Sequence, residues 1–282
     1  SAVCPSIHLT GPGIRQQGTR GYHVPLFSRG DYMSAAWISV NGFYVAFAAY
    51  TLSLLLAGAK KERASRAVFI FGFLMHSISQ VARGWYLGFF FPNPMFNEIT
   101  FLPWCLAAVG LVMRILDRDS SLFLQVAGLV LIFSLAALFA PKGILSPFAQ
   151  SQTVLSPLFF VFEVFSHGCF ILGAWFALVY LTKKTNARMF NMLVIWGFVL
   201  FSIAQIVGAT WSYWGWGSPF SWSERHLGSA ALWCYYAAYL HLSFVARWEV
   251  RPRAVVAALG AVFVLIFAVT YQLSEMSMHV SQ

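Results

Sequence analysis

Apolar runs of about twenty residues, parted by short polar stretches, recur along this chain from position 35 onward. Eight can be separated: 35–58, 67–90, 101–115, 121–140, 158–181, 189–207, 228–246 and 255–273. Each comes close to the ~20 residues that a helix needs to cross a hydrocarbon layer about 30 Å thick. Backbone polar groups in lipid must be satisfied within their own segment, so such runs predict helices. The expected fold is therefore all-α: a polytopic membrane bundle of eight transmembrane helices occupying residues 35–282. Residues 1–34 break the pattern. They are polar, rich in Gly, Pro and Arg, and contain His8 and His23, and they read as an outer N-terminal tail or surface segment.

Charge then orients the bundle. Of the eighteen Lys and Arg residues, those at 60, 61, 63, 66, 114, 118, 183, 184, 188, 247, 251 and 253 fall after the first, third, fifth and seventh runs. Basic residues concentrate on the cytoplasmic side, so these loops are predicted to be cytoplasmic, or stromal in a plastid. Both termini, the 91–100 and 141–157 loops and the stretch after the sixth run then face the outer side. That placement fits a bacterial inner membrane, or a thylakoid membrane if the protein comes from a plastid.

Composition narrows the function classes. With 59% hydrophobic, 18% aromatic and 10% charged residues over 282 positions, the chain lies far from the balance of a soluble domain. The net charge of +9 is gathered in interhelical clusters, which argues against a nucleic-acid partner and for membrane lipid. Cys4, Cys105, Cys169 and Cys234 form no CxxC or CxxCH pattern, so no covalently attached haem is expected; the last three, lying in apolar runs, read as small core residues.

The most distinctive stretch is Gly208–His241. Trp211, Trp214, Trp216, Trp222 and Trp233, with Tyr213 and Phe220, surround a short Gly/Ser/Pro segment that cannot continue a helix. Amphipathic rings between two apolar runs belong at a membrane surface, where a flat apolar ligand could lie against them. This stretch resembles the tryptophan-rich WWD signature of the CcsA-type proteins that handle haem in system II cytochrome c assembly. That pattern reads approximately GAxWAxxxWGxYWxWDPKETWxxxxWxxxAxYLH. It aligns here without a gap, with Gly208, Ala209, Trp211, Trp216, Gly217, Trp222, Trp233, Tyr239, Leu240 and His241 in agreement. Among the departures are Phe220 for a Trp, Ser223 for the motif Asp, and Glu224-Arg225-His226 for Pro-Lys-Glu, which mark a divergent member.

A histidine inside an apolar run is costly to bury and is a functional candidate by default. His76, His167, His241 and His279 qualify, and the resemblance assigns them in two pairs. His167 and His279 match the histidines that flank the WWD segment and supply axial ligands to its haem. Pro157 before His167, and Ala174-Trp175-Phe176-Ala177 after it, fit the family's P…HxxxxxxSYAA pattern. His241 matches the family's intramembrane His, whose usual partner comes from a CcsB-type sequence. His76, at similar depth, is a candidate replacement, the alternative being a histidine hydrogen-bonded within the bundle. RGWYLGFFFPNPMFNE resembles the family's RWxxSGHxPxxNxYE region through Arg83, Trp85, Gly88, Asn93 and Glu98, with Phe89 in place of its His. Arg83 is expected to pair with a haem propionate or with Glu98. Glu163, one turn before His167, is a candidate to orient that imidazole.

The resemblance implies a membrane protein that binds one or two non-covalent b-type haems through His167, His279, His241 and His76. Trp211, Trp214, Trp216, Phe220, Trp222 and Arg83 would line the haem. The outer segment 208–226 would present haem to an apocytochrome c, as part of a cytochrome c synthetase with haem-lyase-type thioether formation. A CcsB-type membrane subunit would be the companion. No residue is assigned an acid–base catalytic role. The alternative is a dihaem b-type electron-transfer subunit on the same scaffold, which would keep both haems.

Overall fold

A computed structural model describes residues 29–86, 98–116, 120–139, 153–184, 187–245 and 248–280, with side chains described throughout except at 29–33, 86, 116, 120–121, 269 and 271–280. His8, His23, Phe89 and Asn93, and the 141–150 part of the outer loop, lie outside these residues. Eight helices follow one another: α1 (Arg29–Gly58), α2 (Glu62–Tyr86), α3 (Glu98–Leu116), α4 (Ser120–Phe139), α5 (Leu155–Lys183), α6 (Ala187–Trp216), α7 (Glu224–Leu242) and α8 (Val250–Val280). The protein is all-α, as the apolar runs predict.

Among the described residues six helices are long and apolar enough to cross a membrane: the stretches Ser34–Gly58, Glu98–Ile115, Leu122–Phe139, Leu155–Lys183, Ala187–Trp216 and Val250–Ala268. The two that fall short, α2 and α7, carry the polar residues: Glu62, Arg63, Arg66 and Arg83 on one, Glu224, Arg225, His226 and His241 on the other. Large apolar side chains such as Leu55, Ile115, Phe139 and Ile206 point outward. An apolar exterior of this kind belongs in lipid, and the chain is a membrane protein.

The helices pack as two groups, α1–α4 and α5–α8, joined where α3 lies against α5. The strongest pairings are the antiparallel neighbours α1/α2 and α5/α6, and α8 also packs on α5. Within lipid there is little hydrophobic drive between helices, so small residues and interhelical hydrogen bonds carry the packing. Ser53 and Ser65 exchange hydroxyl-to-carbonyl bonds of 2.9 and 2.8 Å across α1/α2. Gly197 of α6 lies so close to Phe170 that a Cβ there would stand 2.7 Å from the ring. Trp233 donates to Ser202 Oγ and Tyr239 to Asn191 Oδ1, fastening α7 to α6, while Tyr235 donates to the Val256 carbonyl of α8.

Helix α5 is the axis of the fold. Its buried positions run all around its middle, including Glu163, His167, Cys169, Phe170, Leu172 and Phe176. Phe170 stacks on Tyr236 of α7 with 3.5 Å between ring centroids. Cys105 and Cys169 are buried as expected, but Cys234 is exposed, because α7 presents that face outward instead of to the core.

Candidate functional site

The break in the Trp-rich segment is shorter than its composition implies. Helix α6 continues through Trp216, so Trp211, Trp214 and Trp216 stand on its last turns instead of on a loop. The helix stops at Gly217, whose φ of 75° is a left-handed conformation that suits glycine, and whose N–H closes onto the Tyr213 carbonyl at 2.9 Å. A turn through Pro219 and Phe220 leads to Ser223, the N-cap position of α7. Serine and aspartate are both favoured there, so the exchange at the motif Asp keeps a residue suited to starting the helix. The Ser223 hydroxyl, however, lies 2.9 Å from His226 Nδ1, and Ser221 Oγ shares that nitrogen at the same distance. Partial burial, then the neighbouring Arg225, holds the His226 imidazole below its ordinary range.

The aromatic side chains divide into two sets. Trp211 packs inward against Phe159 and Phe160 of α5 and edge-on to Trp216. Trp214, Trp216, Phe220 and Trp222 are exposed, Trp222 at 84%. Exposure of four large rings in one short stretch is an apolar patch, and such patches mark binding surfaces.

Beneath that patch α5 carries a column of functional groups one turn apart. Phe159 and Phe160 come first, then Glu163, then His167. The Arg225 guanidinium reaches in from the start of α7, lies 4.9 and 5.0 Å from the two phenyl centroids, and donates to Glu163 Oε2 at 2.6 Å. Glu163 is only 2% exposed, so the charge needs such a partner. It is thereby committed to Arg225, and the expected bond from Glu163 to His167 is not formed. Glu98, at the start of α3, takes that place: its Oε1 lies 2.6 Å from His167 Nδ1. The pairing of Arg83 with Glu98 is not seen either; Arg83 is buried beside Ser39, Phe43, Ser79 and Thr100.

His167 itself is fully buried. An ionised carboxylate only accepts, so Nδ1 carries the proton, and in the neutral imidazole Nε2 presents its lone pair. Nε2 is buried without a hydrogen-bond partner among the described residues. The rings of Phe201 and Phe267 stand 6.1 and 6.0 Å from the imidazole. An acceptor nitrogen without a protein partner in an aromatic surround calls for a water or a ligand. It is what an axial ligand to haem iron requires, and His167 fits that role.

The other histidines are placed differently. His279 lies on the last turn of α8, the helix that packs on α5, and its side chain is outside the described residues. Along α8 it is twelve residues, roughly 18 Å of helical rise, beyond Phe267. His241 is exposed on α7, its Nδ1 donating to the Ala237 carbonyl at 2.7 Å. His76 is fully buried between α1 and α3: its Nε2 meets the Thr100 carbonyl at 3.1 Å and Gln80 at 3.3 Å, and Nδ1 faces Tyr50 at 3.5 Å. Helix α7 packs on α6 and α8, so the structure does not bring His76 and His241 together. Among the described residues no three His, Cys, Asp or Glu side chains form a group able to hold a metal ion. A planar cofactor with its own metal needs no such group.

Fold and site together define a polytopic helical membrane protein with a buried, carboxylate-held histidine under an exposed aromatic surface. The chain belongs to the family described as "Cytochrome C assembly protein", which it matches over residues 93–279. Similar proteins include "Cytochrome c biogenesis protein CcsA" of Prochlorococcus marinus (strain MIT 9303), 35% identical over 98 residues, which are 35% of this chain and 30% of that protein. The protein of the same name from Thermosynechococcus vestitus is 39% identical over 64 residues, 23% of this chain and 20% of that protein. The matched region thus spans about a third or less of each of these relatives. Among solved structures, "Cytochrome c Heme Lyase CcmF" has the same fold, with a TM-score of 0.60 at 15% identity over 85% of this chain and 49% of that one. Glu98, Arg225 and His226 are the functional candidates that sequence reasoning underweighted. The charged run after Trp222 was the available signal for the last two.

Proposed function

We propose that this chain is a haem-handling protein of c-type cytochrome assembly, holding haem b through His167 and offering it at the outer Trp-rich surface to an apocytochrome c. The observation that carries the proposal is the His167 imidazole, with Nδ1 committed to Glu98 and Nε2 buried and unsatisfied. Family membership and the fold shared with the haem lyase support the same reading. When bound, haem would supply the iron that imidazoles ligate and the vinyl groups that cytochrome thiols add to. The chain's own contribution is positional. His167 anchors from below, and Trp214, Trp216, Phe220 and Trp222 offer flat apolar faces above; His279, about 18 Å along α8 from Phe267, would be a second ligand only if the end of α8 turned back toward α5. Binding energy spent on holding the reacting partners in place is a recognised source of rate, without an acid–base residue.

The orientation proposed is eight spans with both termini outside, in a bacterial inner membrane or a thylakoid membrane. α2 and α7 would cross as polar spans sheltered by their neighbours or by a CcsB-type subunit. His241 suits that companion: with Nδ1–H given to Ala237, its Nε2 lone pair is available on an outward-facing side of α7. The dihaem electron-transfer reading requires an inner haem between His76 and His241, and the separation of those residues gives it no support.

The test is the absorption spectrum and pyridine haemochrome of the purified protein with and without His167→Ala. Low-spin haem in the parent protein and its loss in the variant, partly restored by added imidazole, are expected. A haem content and spectrum unaffected by the substitution would return His167 to a structural role.

A further inference from the structure

Two carboxylates lie within reach of His167, and the fold assigns them opposite duties. Glu163 is one turn away on the same helix, but Arg225 occupies it at 2.6 Å. Glu98 comes from another helix, across the α3/α5 contact, and its Oε1 meets Nδ1 at 2.6 Å. That distance is short for a bond between N–H and carboxylate, as charge-assisted bonds are. The Glu98 side chain is 14% exposed while the imidazole is fully covered, so the carboxylate approaches from the rim. On the side away from Glu98, Nε2 meets no hydrogen-bonding atom of the described residues.

We propose that Glu98 is a positioning residue for the haem ligand: it fixes the Nδ1–H tautomer of His167, aims Nε2 at the iron, and makes the imidazole a stronger donor. The inference rests on His167 being the ligand, as proposed above. A carboxylate that accepts the Nδ1 proton pushes electron density toward Nε2. The more electron-rich nitrogen favours the more highly charged iron, so Glu98 biases a haem held at His167 toward the ferric state. Glu163 cannot substitute, because turning it to His167 would leave Arg225 without its buried partner. A purely architectural role, in which Glu98 only ties α3 to α5, predicts altered stability with unaltered haem properties.

The experiment compares the parent protein with Glu98→Gln, Glu98→Asp, Glu98→Ala and His167→Ala, all purified in detergent. Haem stoichiometry, the low-spin electron paramagnetic resonance spectrum and the reduction midpoint are read for each. Glu98→Gln keeps volume and polarity but removes the charge. It is expected to bind haem ten- to a hundred-fold more weakly, the usual cost of losing such a partner, and to shift the midpoint positive. Glu98→Asp should restore part of both, and Glu98→Ala should match or exceed the Gln defect. Unchanged occupancy, spectrum and midpoint in Glu98→Gln, alongside loss of the signal in His167→Ala, would overturn the positioning role and leave the ligand intact. A His167→Ala protein indistinguishable from the parent would instead remove the ligand assignment on which both rest. Should Glu98→Ala fail to accumulate, the Gln and Asp variants decide the matter.

Discussion

Removing Arg225 tests whether the Trp-rich segment is fastened to the ligand helix by charge. In Arg225→Met the methionine can still cover Phe159 and Phe160, but Glu163 loses a bond of 2.6 Å while remaining 2% exposed. Breaking a buried pair from one side costs about 3–5 kcal/mol, because an uncompensated charge is left behind. Loss of the guanidinium over the two rings adds about 0.5–1 kcal/mol per ring. Taking about 5 kcal/mol in all, the melting temperature in detergent should fall by roughly 10–20 °C for a chain of this size. The double variant Arg225→Met, Glu163→Gln removes the charge as well as its partner and should recover at least half of that loss. The assay is a double-mutant cycle on thermal unfolding, followed by intrinsic tryptophan fluorescence and circular dichroism. Arg225→Met costing under about 1 kcal/mol, or a double variant as unstable as the sum of the singles, would show that Glu163 does not depend on Arg225, and the fastening argument would fall.

Replacing His76 by Leu should lower stability by about 1–3 kcal/mol through the lost bonds to Thr100 and Gln80, while haem content and spectrum stay as in the parent; a lost haem signal would reinstate His76 as a ligand. Trp222→Ala, at an 84% exposed position, should alter stability by no more than about 0.5 kcal/mol and yet lower haem retention, measured by pyridine haemochrome; equal retention would remove Trp222 from the haem surface. With Cys4 and Cys234 replaced by Ser so that neither thiol competes, Gln150→Cys should react with an impermeant reagent from the outer side and Thr185→Cys from the inner side. The same side for both would invalidate the proposed topology.

Much of the fold could be read from the apolar runs because a membrane leaves few choices: a run of about twenty apolar residues has to be a helix. The ends were less legible. Extension of α6 to Trp216 and of α8 to Val280 follows from tryptophan, tyrosine and serine being acceptable in a helix that emerges at an interface. Hydropathy, which falls there, locates the membrane boundary and says nothing about the helix end. At the site, His167 was visible through its neighbours in the motif. Its carboxylate partner was assigned to Glu163 because same-helix spacing is the only geometry a sequence displays. The contact with Glu98, 69 positions away, depends on α3 lying against α5, and the wish of Glu163 for another partner depends on where α7 begins. His76 misled for the opposite reason: equal depth in the membrane was legible, but lateral neighbourhood was not.

If His167 is the ligand, the charges around it give Glu98 of α3 and Glu163 of α5 different counter-charges. A neutral imidazole serving as a ligand carries no charge of its own, so Glu98 must be balanced by something other than His167 once Nε2 is engaged. Arg225 cannot do this twice, since its short bond goes to Glu163. The ferric form of haem carries one net positive charge that the ferrous form lacks, and this charge would sit on the far side of the imidazole from Glu98. If haem is held there as proposed, an oxidised iron would place one more positive charge opposite Glu98 than a reduced iron, and reduction would remove it. A protein that must hold haem and later release it gains from such a bias, because reduction then weakens the grip on the side where His167 supplies it. Haem retention in the parent protein should accordingly fall when dithionite is added, and the fall should be smaller in Glu98→Gln. Equal retention of both oxidation states by the parent would mean that the extra negative charge is compensated elsewhere and that Glu98 orients His167 without setting its hold.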